Sequence, residues 1–205
     1  FDVNSAAAKC KKKLGSKWEG FANAWRTTQL EYTWLRNIMK KHKNFWEITE
    51  DSLDHAMETF KIKKNMRSEL LNLYKKLSPY PEVKECLENL KSKKIKIAIL
   101  SNGTPDLLKE LVESNNIQNY FDDILSVESV GIYKPDSKVY EMPINKYNCK
   151  PENICFMSSN TWDVSGGGIF GYNAVWVNRF NKVFDKLSYK PKFVINNLKE
   201  LINII

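Results

Sequence analysis

Apolar residues fall into two regimes along this chain. From residue 5 to 78 they recur three and four apart: Trp18, Phe21, Ala22 and Trp25, then Leu30, Trp34, Leu35 and Ile38, then Leu70, Leu71, Tyr74 and Leu77. That spacing lines one face of successive helices. Thr49-Glu50-Asp51-Ser52 has the composition of a helix start, and Ser78-Pro79-Tyr80-Pro81 is the clearest boundary in the chain. Beyond Pro81 the pattern alternates. It predicts a helix over 82–92, a strand over 95–100, a helix over 105–115, a strand over 123–127 and a helix over 136–147. A strand over 153–157, a short helix over 163–169, strands over 174–178 and 192–195 and a closing helix near 198–204 complete the set. Strands alternating with helices imply a mostly parallel sheet with right-handed crossovers, here carrying one helical unit.

Residues 95–104, Ile-Lys-Ile-Ala-Ile-Leu-Ser-Asn-Gly-Thr, organise the second regime. A β-branched apolar run stops at Ser101-Asn102-Gly103, and a helical pattern starts at once, with Thr104 suited to cap it and Pro105 to its first position. Ligands of open α/β sheets bind outside the carboxyl ends of such strands, where a helix N-terminus favours anions. An ordinary strand-to-helix turn would look the same from these ten residues alone.

With 205 residues, 42% of them apolar, the chain can bury a core of one α/β domain with a helical insertion. Cys10, Cys86, Cys149 and Cys155 are far apart and read as reduced thiols of a cytoplasmic protein. No apolar run is long enough to span a bilayer, and no signal peptide is visible. The net charge of +8 comes from short lysine groups interleaved with acids, which is the pattern of a solvated surface more than of a nucleic-acid stripe. Such a field would still draw in small anions.

Three strand ends carry the polar groups. The first presents Ser101 and Asn102; the third ends in Ser158-Ser159-Asn160-Thr161-Trp162-Asp163 and opens a helix with Asp163 in its first turn. Between them, Tyr133-Lys134-Pro135-Asp136 sets Lys134 just ahead of a helix that Pro135 is expected to begin. A lysine there can hold a carboxylate ionised and nucleophilic. Taken singly, each is as readily an exposed lysine, a cap or a helix-start acid. Their joint order is far more specific.

In these motifs the sequence resembles the haloacid dehalogenase superfamily and, within it, the L-2-haloacid dehalogenases. The likeness includes Phe1-Asp2-Val3, Trp25-Arg26 with Gln29 to Arg36, Leu100-Ser101-Asn102-Gly103, Tyr133-Lys134-Pro135-Asp136, Ser158-Ser159-Asn160 with Trp162-Asp163, and Trp176-Val177-Asn178-Arg179. The resemblance implies a Rossmann-like core over 81–205, a helical cap over 5–80, and a remnant of the core's first strand and loop over 1–4. It implies an aspartate that displaces halide from a short (S)-2-haloacid with inversion, leaving an ester that water hydrolyses to the (R)-2-hydroxyacid. By motif, Lys134 would pair with the nucleophile. Asp163, with Ser158 and Asn160, would orient the water, and Ser101 would hold the substrate carboxylate. Arg26 and Asn102 would take the halide, and Phe45, Tyr140 and Trp162 would be pocket walls or supports. A homodimer is usual for such proteins; neither nucleic acid nor membrane is an expected partner.

Two departures matter. The superfamily's phosphatases carry a magnesium-binding acid where this chain has Ser158-Ser159, so no metal or other cofactor is expected. The nucleophile normally lies in an Asp-x-Tyr-Gly-Thr-Leu segment just before Phe-Asp-Val, where this sequence starts. The nucleophilic aspartate is therefore expected outside these 205 residues, with Asp2 the weaker alternative, and an open place in the sheet is expected to expose backbone and apolar surface. Pro143 should kink or shorten its helix, and Gly166-Gly167-Gly168 should loosen the turn after Asp163.

Overall fold

The computed structural model describes Phe1 and residues 8–205; Asp2, and with it most of the 1–4 remnant, lies outside the described residues. After one helical turn at Lys11–Leu14 come α1 (Trp18–Met39), α2 (Phe45–Thr59) and α3 (Arg67–Tyr74). α1 buries Phe21, Ala22 and Trp25 against Ile48, Leu53, Ala56 and Met57 of α2, and Leu70, Leu71 and Tyr74 of α3 close the cluster. The helical spacing in the sequence produced this cap because each stripe has another stripe to cover it. α2 does not start at Thr49. Its N-cap is Asn44, whose side chain accepts from Glu47 N at 3.0 Å, and Thr49 sits inside the helix with its hydroxyl donating to the Phe45 carbonyl at 2.7 Å.

The second regime folds as α4 (Val83–Ser92), β1 (Ala98–Ser101), α5 (Pro105–Ser114), β2 (Asp123–Ser126), α6 (Ser137–Tyr147), β3 (Cys155–Ser158), α7 (Thr161–Phe170), β4 (Asn173–Val177) and β5 (Phe193–Ile195). The expected closing helix is a 3-10 helix over Leu198–Asn203. α5 is capped by Thr104, whose hydroxyl accepts from Leu107 N, with Pro105 in its first turn. α6 is capped by Asp136 rather than begun by Pro135, and it runs through Pro143.

All strand pairs are parallel: Ala98 lies opposite Asp123, Cys155 opposite Asn173 and Val175 opposite Phe193. Among the described residues the strands do not join into one ladder. β1 pairs with β2 and, separately, β3, β4 and β5 pair in that order. β4, with a neighbour on each side, is buried from Ala174 to Val177, whereas Ala98 of β1 and Cys155 of β3 are exposed.

The glycine triplet lies within α7 and does not loosen a turn. A Cβ on Gly166 would stand 2.6 Å from the Tyr140 hydroxyl, and one on Gly167 would stand 2.6 Å from the Phe156 ring. α7 therefore rests on β3 and α6 at a closeness that only glycine allows.

Candidate active site

The strand-end turns are built alike. The Ser101 hydroxyl accepts from Gly103 N and the Ser158 hydroxyl from Asn160 N, each at 3.1 Å. Using the hydroxyl as an acceptor for the amide two residues on fixes it at the strand end and leaves its proton to donate elsewhere. Asn102 accepts from the Lys134 backbone amide at 3.2 Å, so the end of β1 also positions the lysine loop.

Lys134 and Asp163 are both buried, and the ammonium lies 3.2 Å from Asp163 Oδ2. The other carboxylate oxygen accepts from the Tyr140 hydroxyl at 2.8 Å. Burial, then the charge and hydrogen bond of Asp163, push the Tyr140 phenol well above its ordinary pKa, so it stays a donor. Tyr140 is held in turn: Tyr172 donates to its backbone carbonyl, and the Tyr140, Phe156, Phe170 and Tyr172 rings pack edge and tilt around it. The buried ion pair thus has its carboxylate bonded at both oxygens, the condition for such a pair to be tolerated inside a protein.

Above the strand ends, α1 brings Arg26. Its guanidinium donates to Gln29 Oε1 at 2.8 Å; Gln29 Nε2 donates to the Thr49 hydroxyl at 2.7 Å and to the Tyr74 hydroxyl at 3.1 Å. Gln29 is 1% exposed, a buried amide spent on orienting one arginine. Burial lowers the Arg26 pKa, and the phenol of Tyr74 and the carboxylate of Asp163 act against it, the latter reaching across from the core. Trp34 of the same helix packs edge-on against Trp162 at 5.4 Å between ring centres.

The cap is tied to the lysine loop. Asn37 Nδ2 donates to the Tyr133 carbonyl at 2.8 Å and Asn37 Oδ1 accepts from Tyr133 N at 3.0 Å. Glu128 accepts from Phe45 N at 2.8 Å and pairs with His42 at 3.0 Å, and His42 stacks on Tyr133.

The structure thus joins Lys134, Asp163 and Tyr140 directly, places Ser101, Asn102, Ser158 and Asn160 at the strand ends, and sets Arg26 within electrostatic reach of Asp163. Trp162 is a cap-to-core contact. Phe45 packs on Tyr133 at 6.3 Å, a support of the cap–core seam. Sequence reasoning missed Asn37, Glu128 and the anchoring of Gln29 by Thr49, because these partners lie 20 to 96 residues apart and no spacing rule joins them. Among the described residues no three His, Cys, Asp or Glu side chains converge as metal ligands.

A parallel α/β core with polar groups gathered at its strand ends under a helical cap defines a capped α/β hydrolase. The chain belongs to the haloacid dehalogenase-like hydrolase family, whose model matches residues 27–177. It is 36% identical over 207 residues to (S)-2-haloacid dehalogenase 1 of Pseudomonas sp. (strain CBS-3), covering all of this chain and 91% of that protein. A crystal structure of a dehalogenase superposes with a TM-score of 0.97 at 34% identity, covering 100% of this chain and 92% of that one. An L-2-haloacid dehalogenase from Xanthobacter autotrophicus with chloropropionic acid covalently bound superposes at 0.91 with 28% identity, covering 100% and 93%.

Proposed function

We propose that these strand ends form the active site of a metal-independent hydrolase that converts short-chain (S)-2-haloacids to (R)-2-hydroxyacids. The observation that carries this reading is the buried Lys134–Asp163 pair beneath Arg26, in a chain 36% identical to an (S)-2-haloacid dehalogenase. An aspartate oxygen attacks C2, the carbon–halogen bond breaks, and halide leaves with the bonding pair toward Arg26 and Asn102. Ser101 donates to the substrate carboxylate. Asp163, with Ser158 and Asn160 beside it, takes a proton from water as the water adds to the ester carbonyl. That proton passes to the departing alkoxide, and the regenerated aspartic acid releases one proton to solvent. The nucleophile on this reading lies outside the described residues, and Lys134 holds it ionised.

The finer placement follows the same reading. Residues 5–80 act as the cap and 81–205 as the core of a cytoplasmic homodimer. Leu35, Ile38 and Met39, 50%, 77% and 57% exposed on α1, are the stripe assigned to the dimer contact.

The test is chloride release from L-2-chloropropionate by the chain extended at its N-terminus with a strand ending in the Asp-x-Tyr-Gly-Thr-Leu pattern. The expected result is turnover of the L-isomer and not the D-isomer, unchanged by a magnesium chelator. Magnesium-dependent release of phosphate from a phosphomonoester, with no chloride released, would overturn it.

A further inference from the structure

The end of α1 and the loop before Tyr133 enclose a cavity on the seam between cap and core. Its volume is about 210 Å³, and Arg36, Asn37, Lys40, His42, Gly131 and Ile132 line it. Sites for drug-sized ligands run to roughly 300–1,000 Å³, so the occupant of this one is small. None of the six lining residues is an acid. Asn37 has both ends of its amide on the Tyr133 backbone, and His42 has Nε2 on Glu128 and its ring stacked on Tyr133. These two side chains form the wall.

Arg36 and Lys40 differ from them, because their donors are largely unspent. Lys40 ends α1 with φ 55°, and among the described residues its ammonium has neither an ion pair nor an acceptor. Arg36 reaches Asp51 Oδ2 and the Lys41 carbonyl only at 3.4 Å each, and that Asp51 oxygen is already held by Lys43 at 2.7 Å. The other nearby acid, Glu128, is taken by His42 and Phe45 N. A guanidinium presents five N–H donors in a fork that fits two oxygens of one anion. Like charges four positions apart at a helix end repel each other, and an anion between them removes the repulsion.

We propose that this cavity binds one small oxyanion, a phosphate or a short carboxylate, between Arg36 and Lys40. The net charge of +8 draws such anions toward the chain. On the loop side a Cβ at Gly131, where φ is +63°, would meet nothing within 4 Å, so backbone rather than a side chain borders the space. Gly131 and Ile132 run directly into Tyr133 and Lys134. An anion held by α1 against this loop therefore adds a second tie between cap and loop, beside the Asn37 clamp. The cavity shares no residue with the strand-end set and is independent of the chemistry proposed there. Its effect falls on the backbone that carries Lys134.

The experiment titrates inorganic phosphate and, separately, acetate into the whole 205-residue chain. Sodium chloride keeps the ionic strength constant, so that general screening does not change. Backbone amides are followed by NMR. The expected result is saturation with a dissociation constant of about 1 mM for at least one probe, with the largest shifts at residues 36–42 and 131–133. At saturation, exchange of the Tyr133 and Lys134 amides should slow about threefold or more. The tighter probe identifies the source, an inorganic oxyanion or a carboxylate. Arg36→Gln should weaken binding about tenfold and Lys40→Gln about fivefold, while Lys84→Gln, at an exposed position of α4, should leave it unchanged. Lys40 has no partner to lose in the free chain, so its variant tests the site even if Arg36→Gln disturbs the fold. Shifts that stay linear up to about 50 mM of both probes would overturn the site. So would saturation unaffected by both substitutions, or saturable shifts confined to residues 101–103 and 158–160, which would place the anion at the strand ends instead.

Discussion

The ammonium of Lys134 and the carboxylate of Asp163 meet at 3.2 Å with side chains only 8% and 6% exposed, although 29 residues separate them in sequence. Removing one partner of such a pair leaves an uncompensated buried charge. Lys134→Met is expected to cost about 3–5 kcal/mol. The double variant Lys134→Met/Asp163→Leu should recover a large part of that loss, because no charge is then stranded. Urea unfolding of the four-member cycle measures the coupling; a single-variant loss under about 1 kcal/mol would show that the pair is not isolated from water.

Tyr140 holds the second oxygen of Asp163, and Gly166 leaves the space for Tyr140 to do so. Tyr140→Phe should cost about 1–3 kcal/mol, the penalty of a buried acceptor losing its donor. Gly166→Ala forces a methyl to within 2.6 Å of that hydroxyl and 2.9 Å of Pro135 Cβ, so it should lose a similar amount by overpacking. Both effects act on one contact. In the Tyr140→Phe background Gly166→Ala should therefore be less costly than in the parent, which denaturant midpoints will test.

Asn37 clamps the backbone of Tyr133 with two hydrogen bonds from the cap. Asn37→Ala removes both. The expected result is faster amide exchange at Tyr133 and Lys134 and a stability loss of about 1–2 kcal/mol, with the α1–α2 packing unchanged. Equal acceleration throughout α1 would instead indicate that the cap helix itself had come apart.

Just past the carboxyl end of β4, Arg179 is ion-paired with Glu82 and lies 3.9 Å over the Tyr80 ring. Burial would raise the Glu82 pKa, but its backbone hydrogen bonds and Arg179 outweigh burial and hold it below the ordinary glutamate range. A depressed folded-state pKa contributes stability that is present above the unfolded value, about 4.3, and is lost as pH falls through the folded value. Arg179→Met should therefore be clearly less stable than the parent at about pH 7, and the gap should narrow below about pH 4 as Glu82 protonates. Urea midpoints across that range check the sign. A gap constant with pH would assign the loss to packing on Tyr80 alone.

The alternation after Pro81 was legible because local signals coincide: Ile95 to Leu100 reads as strand, Thr104-Pro105 as cap and first turn, and both occur in the structure within a few residues. The start of α2 was misread because Thr49 and Ser52 look like caps by type. In the fold Thr49 instead bonds Phe45 and Gln29, and Asn44, which has Glu47 three residues on, caps the helix. The glycine triplet was misread for a related reason. Glycine permits both flexibility and close approach, and only the neighbours, here Tyr140, Phe156 and Tyr189, decide which.

The sequence by itself determined the helical cap, the order of the α/β elements, and the chemistry available at the strand ends. Each of these depends on residue type and short-range spacing. Only the tertiary structure decided that Asp163 is bonded by Lys134 and Tyr140 at once, that Gln29 orients Arg26, and that Asn37 ties the cap to the lysine loop. It alone decided that, among the described residues, β1 with β2 and β3 with β4 and β5 form separate ladders. Apart from the Arg26–Gln29 pair, which the helix itself sets three residues apart, those relations join residues 20 to 96 positions apart, and burial in a common core brings them into contact.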